Sequence, residues 1–196
     1  MMINIDAVAL NSVLAGLKNI EQHAPRAINQ AINRSLQHMR QSVVDEVIAN
    51  YNIKQNVVRK AVELKKSYTT TLTGGVLVSG SPIPLINFDL SSKRIAAKTP
   101  GKKSKIKPLG VSVEKNGAKK VIRGAFVQKT KRGYMGVFGR TTKASYPLMQ
   151  YYGPAVPQMA QNALVSENVQ TKATDYFFKR LEHEVVRLNA GIGIRK

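Results

Sequence analysis

Apolar side chains recur every three or four residues at both ends of the chain and lose that period in the middle. Leu10, Val13, Leu14, Leu17 and Ile20 predict a helix near 7–23, with Asp6 as its N-cap. Ala24-Pro25 interrupts it, and Pro25 suits the first turn of a longer helix over 25–50. In that helix Ile28, Ile32, Leu36, Met39, Val43 and Val47 form one stripe. Ala27 and Ala31 sit beside it and permit close packing. Asn50-Tyr51-Asn52 reads as a stop. Ile53, Val57, Ala61 and Leu64 suggest a short third helix.

From Tyr68 to Ser79 the chain is rich in Thr and Val and reads as strand, with Gly74-Gly75 as a turn or bulge. Pro82 and Pro84 prevent a central strand after it. Residues 91–108 lack aromatic anchors and are predicted to form a long basic loop. Two hairpins follow. Val111-Ser112-Val113 and Lys120-Val121-Ile122 flank Asn116-Gly117, a strong hairpin turn signal. Ala125-Phe126-Val127 and Tyr134 to Phe138 flank Lys131-Arg132-Gly133. Tyr146-Pro147 through Gly153-Pro154 reads as a connection. Pro157 opens a short helix ending near Leu164. Ser166 caps a last helix over 166–190, with Val169, Ala173, Phe177, Leu181, Val185 and Leu188 inward and Gly191 as its stop. The expected class is α+β. Helices at the N- and C-terminal ends pack on a small antiparallel sheet of about four strands, in a single domain over 1–196.

The chain has 196 residues, 43% of them hydrophobic, enough for one core. Cysteine is absent, which excludes disulfides and thiolate metal sites. No apolar run reaches the length of a membrane span, and the N-terminus lacks the basic and apolar blocks of a signal peptide, so synthesis in a cytoplasm is expected. Charge changes the picture most. Thirty-one Lys and Arg face eleven Asp and Glu, a net charge of +20. Residues 1–50 carry four acids and four bases, whereas residues 93–132 carry fourteen bases and one acid, Glu114. The excess suggests a nucleic acid, an acidic protein surface or an anionic membrane as partner, and its concentration points to a local task or a local surface.

Catalytic arrangements are scarce. His23, His38 and His183 are far apart, each on a predicted helix. His183-Glu184-Val185-Val186-Arg187 begins like the zinc motif His-Glu-x-x-His, but Arg187 stands where the second imidazole is needed. Gly101-Lys102-Lys103 lacks the upstream glycine and the hydroxyl of a phosphate loop. Gly133, Gly136 and Gly139 do not have dinucleotide spacing. Asp45-Glu46 and Glu182 with Glu184 lie on predicted helices, where a solvated face is the default. A binding or structural role is favoured by elimination, with no enzyme activity, no cofactor, no metal and no small-molecule substrate expected. The candidate contact residues are Lys93, Arg94, Lys98, Lys102, Lys103, Lys105 and Lys107. Three readings are open for them: a merely solvated loop, sequence-independent contact with phosphates, or docking to an acidic neighbour. Tyr134 and Phe138 lie next to the charge, but stacking platforms need more aromatics.

Two segments resemble the minor tail protein Z, or tail completion, proteins of lambda-like siphophages and prophages. The first is Ala24 to Arg34, similar to that family's Ala-rich second helix with its Ala-Ile-Asn-Arg element. The second runs from Arg123-Gly124-Ala125-Phe126-Val127-Gln128, through Gly133, to Tyr146-Pro147-Leu148 and Gly153-Pro154-Ala155-Val156-Pro157. It is similar to the family's Gly-Ala-Phe-hydrophobic-Gln strand, its turn region, a Tyr-Pro and a closing Pro-hydrophobic-x-Pro. This chain departs by a longer start and by Gly-Pro-Ala-Val-Pro where the family often has Met-Ala-Val-Pro. The resemblance implies a virion protein at the head-proximal end of the tail, made in the host cytoplasm and arranged as a homohexameric ring around the DNA path. It further implies tail terminator, tail tube or connector proteins as partners, nonspecific contact with genomic DNA, no cofactor and no membrane. The alternative is a cytoplasmic nonspecific DNA-binding protein of phage origin.

Overall fold

The structure, a computed structural model, describes residues 24–93, 108–142 and 147–190. The predicted helix near 7–23 with Asp6, His23, most of the 91–108 loop, Tyr146, Gly191 and the side chain of Leu188 lie outside the described residues. The described chain is α+β, and every strand pairing is antiparallel. It divides into two compact units. One comprises residues up to Glu46, Lys60–Ser79 and Ala160 onward; the other comprises Val47–Arg59 and Gly80–Met159.

The first unit holds most of α1 (Ala24–Asn50), a hairpin of β1 (Val62–Lys65) and β2 (Gly75–Val78), and α4 (Ala163–Asn189). The predicted stripe of α1 is its inner face: Ile32, Leu36, Met39 and Val43 are buried, as are Ala27 and Ala31. α4 contributes Val165, Val169, Ala173, Phe177, Leu181 and Val185 to the same core. The two helices run antiparallel. Arg187 donates from Nη2 to Gln30 Oε1 (2.8 Å), His38 stacks on Tyr176 (4.2 Å between ring centres), and Lys172 meets Glu46. The hairpin is tied to α1 by its backbone. Arg40 Nε donates to the Val62 carbonyl (3.1 Å), while Asn33 both donates to the Ser67 carbonyl (3.0 Å) and accepts from the Ser67 N–H (2.9 Å).

The second unit carries α2 (Gln55–Ala61) for most of its length, a 3-10 turn (Leu85–Asn87) and two three-stranded sheets. One sheet has the order β3 (Asp89–Leu90), β4 (Leu109–Ser112), β5 (Lys120–Ile122). The other has the order β6 (Phe126–Lys129), β7 (Met135–Arg140), β8 (Leu148–Gln150). Beyond β8, residues 83–85 pair with 151–153 through Leu85 N–H to Tyr151 O (3.1 Å) and Gly153 N–H to Ile83 O (2.7 Å). Val47, Val58, Phe88, Val137 and Met159 are among its fully buried side chains.

Several expectations change. Instead of one sheet of about four strands, eight short strands form three sheets among the described residues. Leu64 sits on β1, not on the third helix. Val62–Lys65 alternates in burial, and over four residues period two cannot be told from a helical turn in sequence. The predicted strand over Tyr68–Ser79 shrinks to Gly75–Val78, because Thr69–Thr71 form a turn and Leu72 takes a positive φ of 49°. β4 lies two residues upstream of the predicted start, since Val113 gives its carbonyl to the Asn52 N–H (2.8 Å) instead of the ladder. Asn116-Gly117 lies in a longer loop over 113–119, and neither residue has the positive φ of a tight hairpin turn. Gly133 does, at 84°. Within the predicted connection, Leu148–Gln150 is a strand on β7. The short helix α3 (Val156–Ala160) ends before Leu164, and α4 starts at Ala163 with Asn162 as its cap: Asn162 Oδ1 accepts from the Leu164 N–H (3.2 Å).

Candidate nucleic-acid and partner interface

Charge divides between the two units. The second carries eighteen Lys and Arg against two acids, Asp89 and Glu114, a net +16; the first carries thirteen against nine, a net +4. Sequence reasoning found the excess but confined the contact residues to one loop. Of those residues Lys93 is described, and it is exposed; Arg94, Lys98, Lys102, Lys103, Lys105 and Lys107 lie outside the described residues. The stems of that loop are defined. β3 and β4 are antiparallel neighbours, Ser91 N–H donates to Gly110 O (2.8 Å), and Gly110 N–H donates to Ser91 Oγ (2.9 Å). Lys93 therefore follows a clamped strand end.

The described basic surface extends beyond the predicted loop. Lys115, Lys119, Lys120 and Arg123 flank or occupy β5, and Lys129, Lys131 and Arg132 surround the β6–β7 turn; all are exposed. Gly133, with its positive φ, lets that turn close while displaying three bases in four residues of sequence on either side of Thr130. Lys119 pairs with Asp89 (3.1 Å), but both side chains are half-exposed, so the pair neutralises little. Arg140 lies over the Phe126 ring (5.2 Å), which holds its guanidinium against the sheet. Phe138 is buried, so it offers no base-stacking surface, whereas Tyr134 is exposed and bonded to Gln150. The surface can attract a polyanion and has little to read a base sequence with. The clue available in sequence was the clustering of bases on both hairpins.

Two acids expected on solvated helix faces are buried instead, both in the first unit. Glu46 accepts from Lys172 Nζ (2.6 Å) and from Asn168 Nδ2 (3.2 Å). The Lys172 hydrogen bond is the main reason its carboxyl titrates below the ordinary range; burial opposes this, and Asn168 adds to it. Glu184 is 1% exposed. Its Oε1 accepts from Arg180 Nη2 (3.1 Å) and lies 3.9 Å from Arg34 Nε, and its Oε2 is 3.0 Å from Arg187 Nη2 without an aligned hydrogen bond. The position of each was legible. Glu46 falls three residues after Val43, and Glu184 three after Leu181, so both lie on the apolar stripes. Both carboxylates are occupied by partners from α1 or α4, which suits a structural tie between the helices. Among the described residues no group of three or more His, Asp or Glu could hold a metal ion, and no helix is long and apolar enough to cross a membrane.

No curated protein and no solved structure matches this chain. The model of the prophage minor tail protein Z family matches residues 9–188, nearly the full length, which includes the Ala24–Arg34 helix start and the Gly124 to Pro157 region on which the resemblance rested. The chain thus belongs to the prophage minor tail protein Z family and is a structural protein of the phage tail.

Proposed function

We propose that this protein completes the head-proximal end of the tail, as a subunit of a homohexameric ring around the DNA path. The observation that carries the reading is the division of charge in a tail protein: one unit at +16, the other at +4. A ring whose subunits were uniformly basic would repel itself. Confining the excess lets the near-balanced unit supply contacts between copies while the basic unit meets a polyanion. Lys93, Arg94, Lys98, Lys102, Lys103, Lys105 and Lys107, with the hairpin lysines beside them, then face the genome's phosphates or an acidic ring neighbour. Lysines suit a passage that must hold any sequence and let it move, because each contact is made by counterion release and none reads a base. Its neighbours in this reading are the tail terminator, tube or connector proteins.

Deleting the gene and analysing the particles tests the proposal. Heads and tube proteins should be made, with tails that join poorly or particles that fail to deliver DNA. Fully infectious particles lacking the protein, with altered phage DNA replication or transcription, would instead favour a cytoplasmic nonspecific DNA-binding protein. Neutral replacements of the seven loop residues separate the two partners. Loss of DNA retention with assembly intact assigns them to the genome, and loss of assembly without DNA assigns them to a protein neighbour.

A further inference from the structure

We infer that an apolar groove in the second unit docks an extended segment of a different tail protein, apolar in the groove and acidic at its flanks. The groove has a volume of about 560 Å³. Leu85, Val111, Val113, Ile122, Tyr152 and Pro154 form its walls, and Lys120 and Glu114 are the charged residues among its lining. Tyr152 is 54% exposed, so the groove opens to solvent at an aromatic that a partner can cover. β5, which supplies Lys120 and Ile122, ends its sheet and pairs with β4 alone among the described strands. A segment laid along it can gain backbone hydrogen bonds as well as apolar contact.

The kind of occupant follows from charge and shape. Phosphates gain nothing from aliphatic walls, and Tyr152 is the one aromatic in the lining, so nucleic acid is a poor fit. Lys115, Lys119, Lys120 and Arg123 surround the β5 strand, with Glu114 the acid in that hairpin, so flanking carboxylates on the occupant are favoured. A second copy is a poor source. The described acids of the first unit (Asp45, Glu46, Glu63, Glu167, Asp175, Glu182 and Glu184) all sit in α1, β1 or α4, and the chain as a whole is +20. The source of the segment as another tail protein rests on the proposed place in the tail.

The test is photocrosslinking in assembled particles, with p-benzoylphenylalanine placed at Tyr152. Because a change at Tyr152 can disturb its pairing with Pro84, a second particle carries the probe at the exposed Lys120. The expected product is a peptide of another virion protein that is net acidic and carries apolar residues, with its yield reduced about tenfold by K115E in the same chain. Cross-links to genomic DNA, to a second copy of this chain, or none at either position in particles that retain the protein, would overturn the inference. Those outcomes leave the tail role standing, whereas infectious particles without the protein would defeat the tail role itself.

Discussion

Glu46 and Glu184 are single residues whose burial has energetic consequences. The carboxyl of Glu46 is lowered in the folded chain, chiefly by its hydrogen bond from Lys172. A lowered folded-state pKa adds stability above the ordinary carboxylate range and loses it as pH falls through that range toward the folded value. Lys172→Met should therefore cost about 1 kcal/mol at neutral pH, a modest figure because the lysine is half-exposed and screened. The difference between wild type and K172M in urea unfolding should shrink progressively as pH falls below the ordinary Glu value of about 4.3 toward the lower folded-state value; a difference that persists unchanged in acid would refute this assignment. Glu184→Gln is a harsher change. It leaves Arg34, Arg180 and Arg187 around a neutral amide at a site that is 1% exposed. A loss of about 2–3 kcal/mol is expected, read as a lower urea midpoint at unchanged slope.

The strands in this fold are short and depend on close approach. The segment joining β1 to β2 lies on α1, held by the two Asn33–Ser67 hydrogen bonds. Gly74 makes that approach possible. A Cβ there would sit 2.6 Å from Leu36 Cδ1, 3.0 Å from the Lys65 carbonyl oxygen and 3.1 Å from the Ser67 nitrogen. Two of these neighbours are backbone and Leu36 is buried, so the hairpin would have to lift from α1. Gly74→Ala should destabilise the protein by about 1–3 kcal/mol and speed amide exchange in β1 and β2 before α4. Uniform protection in the mutant would show that the hairpin does not depend on that contact. In the second unit the β6–β7 turn does the opposite work, closing on itself through Gly133 and exposing Lys131 and Arg132.

At the scale of the whole molecule, the concentration of charge makes salt the sensitive variable. Binding to duplex DNA should be independent of sequence and weaken linearly in log–log form with salt. Replacing Lys131 and Arg132 together with Gln should reduce the magnitude of that slope by roughly two if each makes a phosphate contact. Removing Lys60 and Lys66, exposed bases of the first unit, should leave the slope unchanged. Equal effects from both pairs would mean that net charge alone governs binding and that the division between units has no functional meaning.

The long helices were legible in the chain because a 3.6-residue period sustained over 27 residues has no competing reading; α1 and α4 bury the stripes their sequences mark. Membership in the tail-protein family was also legible, carried by ordered packing motifs that span the length of the fold. The strand partners were not. Val62–Lys65 and Leu148–Gln150 are three or four residues long, and what makes them strands is a neighbour: β2 for the first and β7 for the second. Local pattern cannot encode a pairing that depends on residues brought together from elsewhere. The same holds for charge. Sequence located the basic excess within one fifth of the chain, but the partition into a +16 unit and a +4 unit appears only when distant segments are grouped by contact. Whether an acid on the apolar stripe of a helix meets water or three arginines is likewise settled by what packs opposite it, which is why the spacing of Glu184 marks its buried face but not its partners.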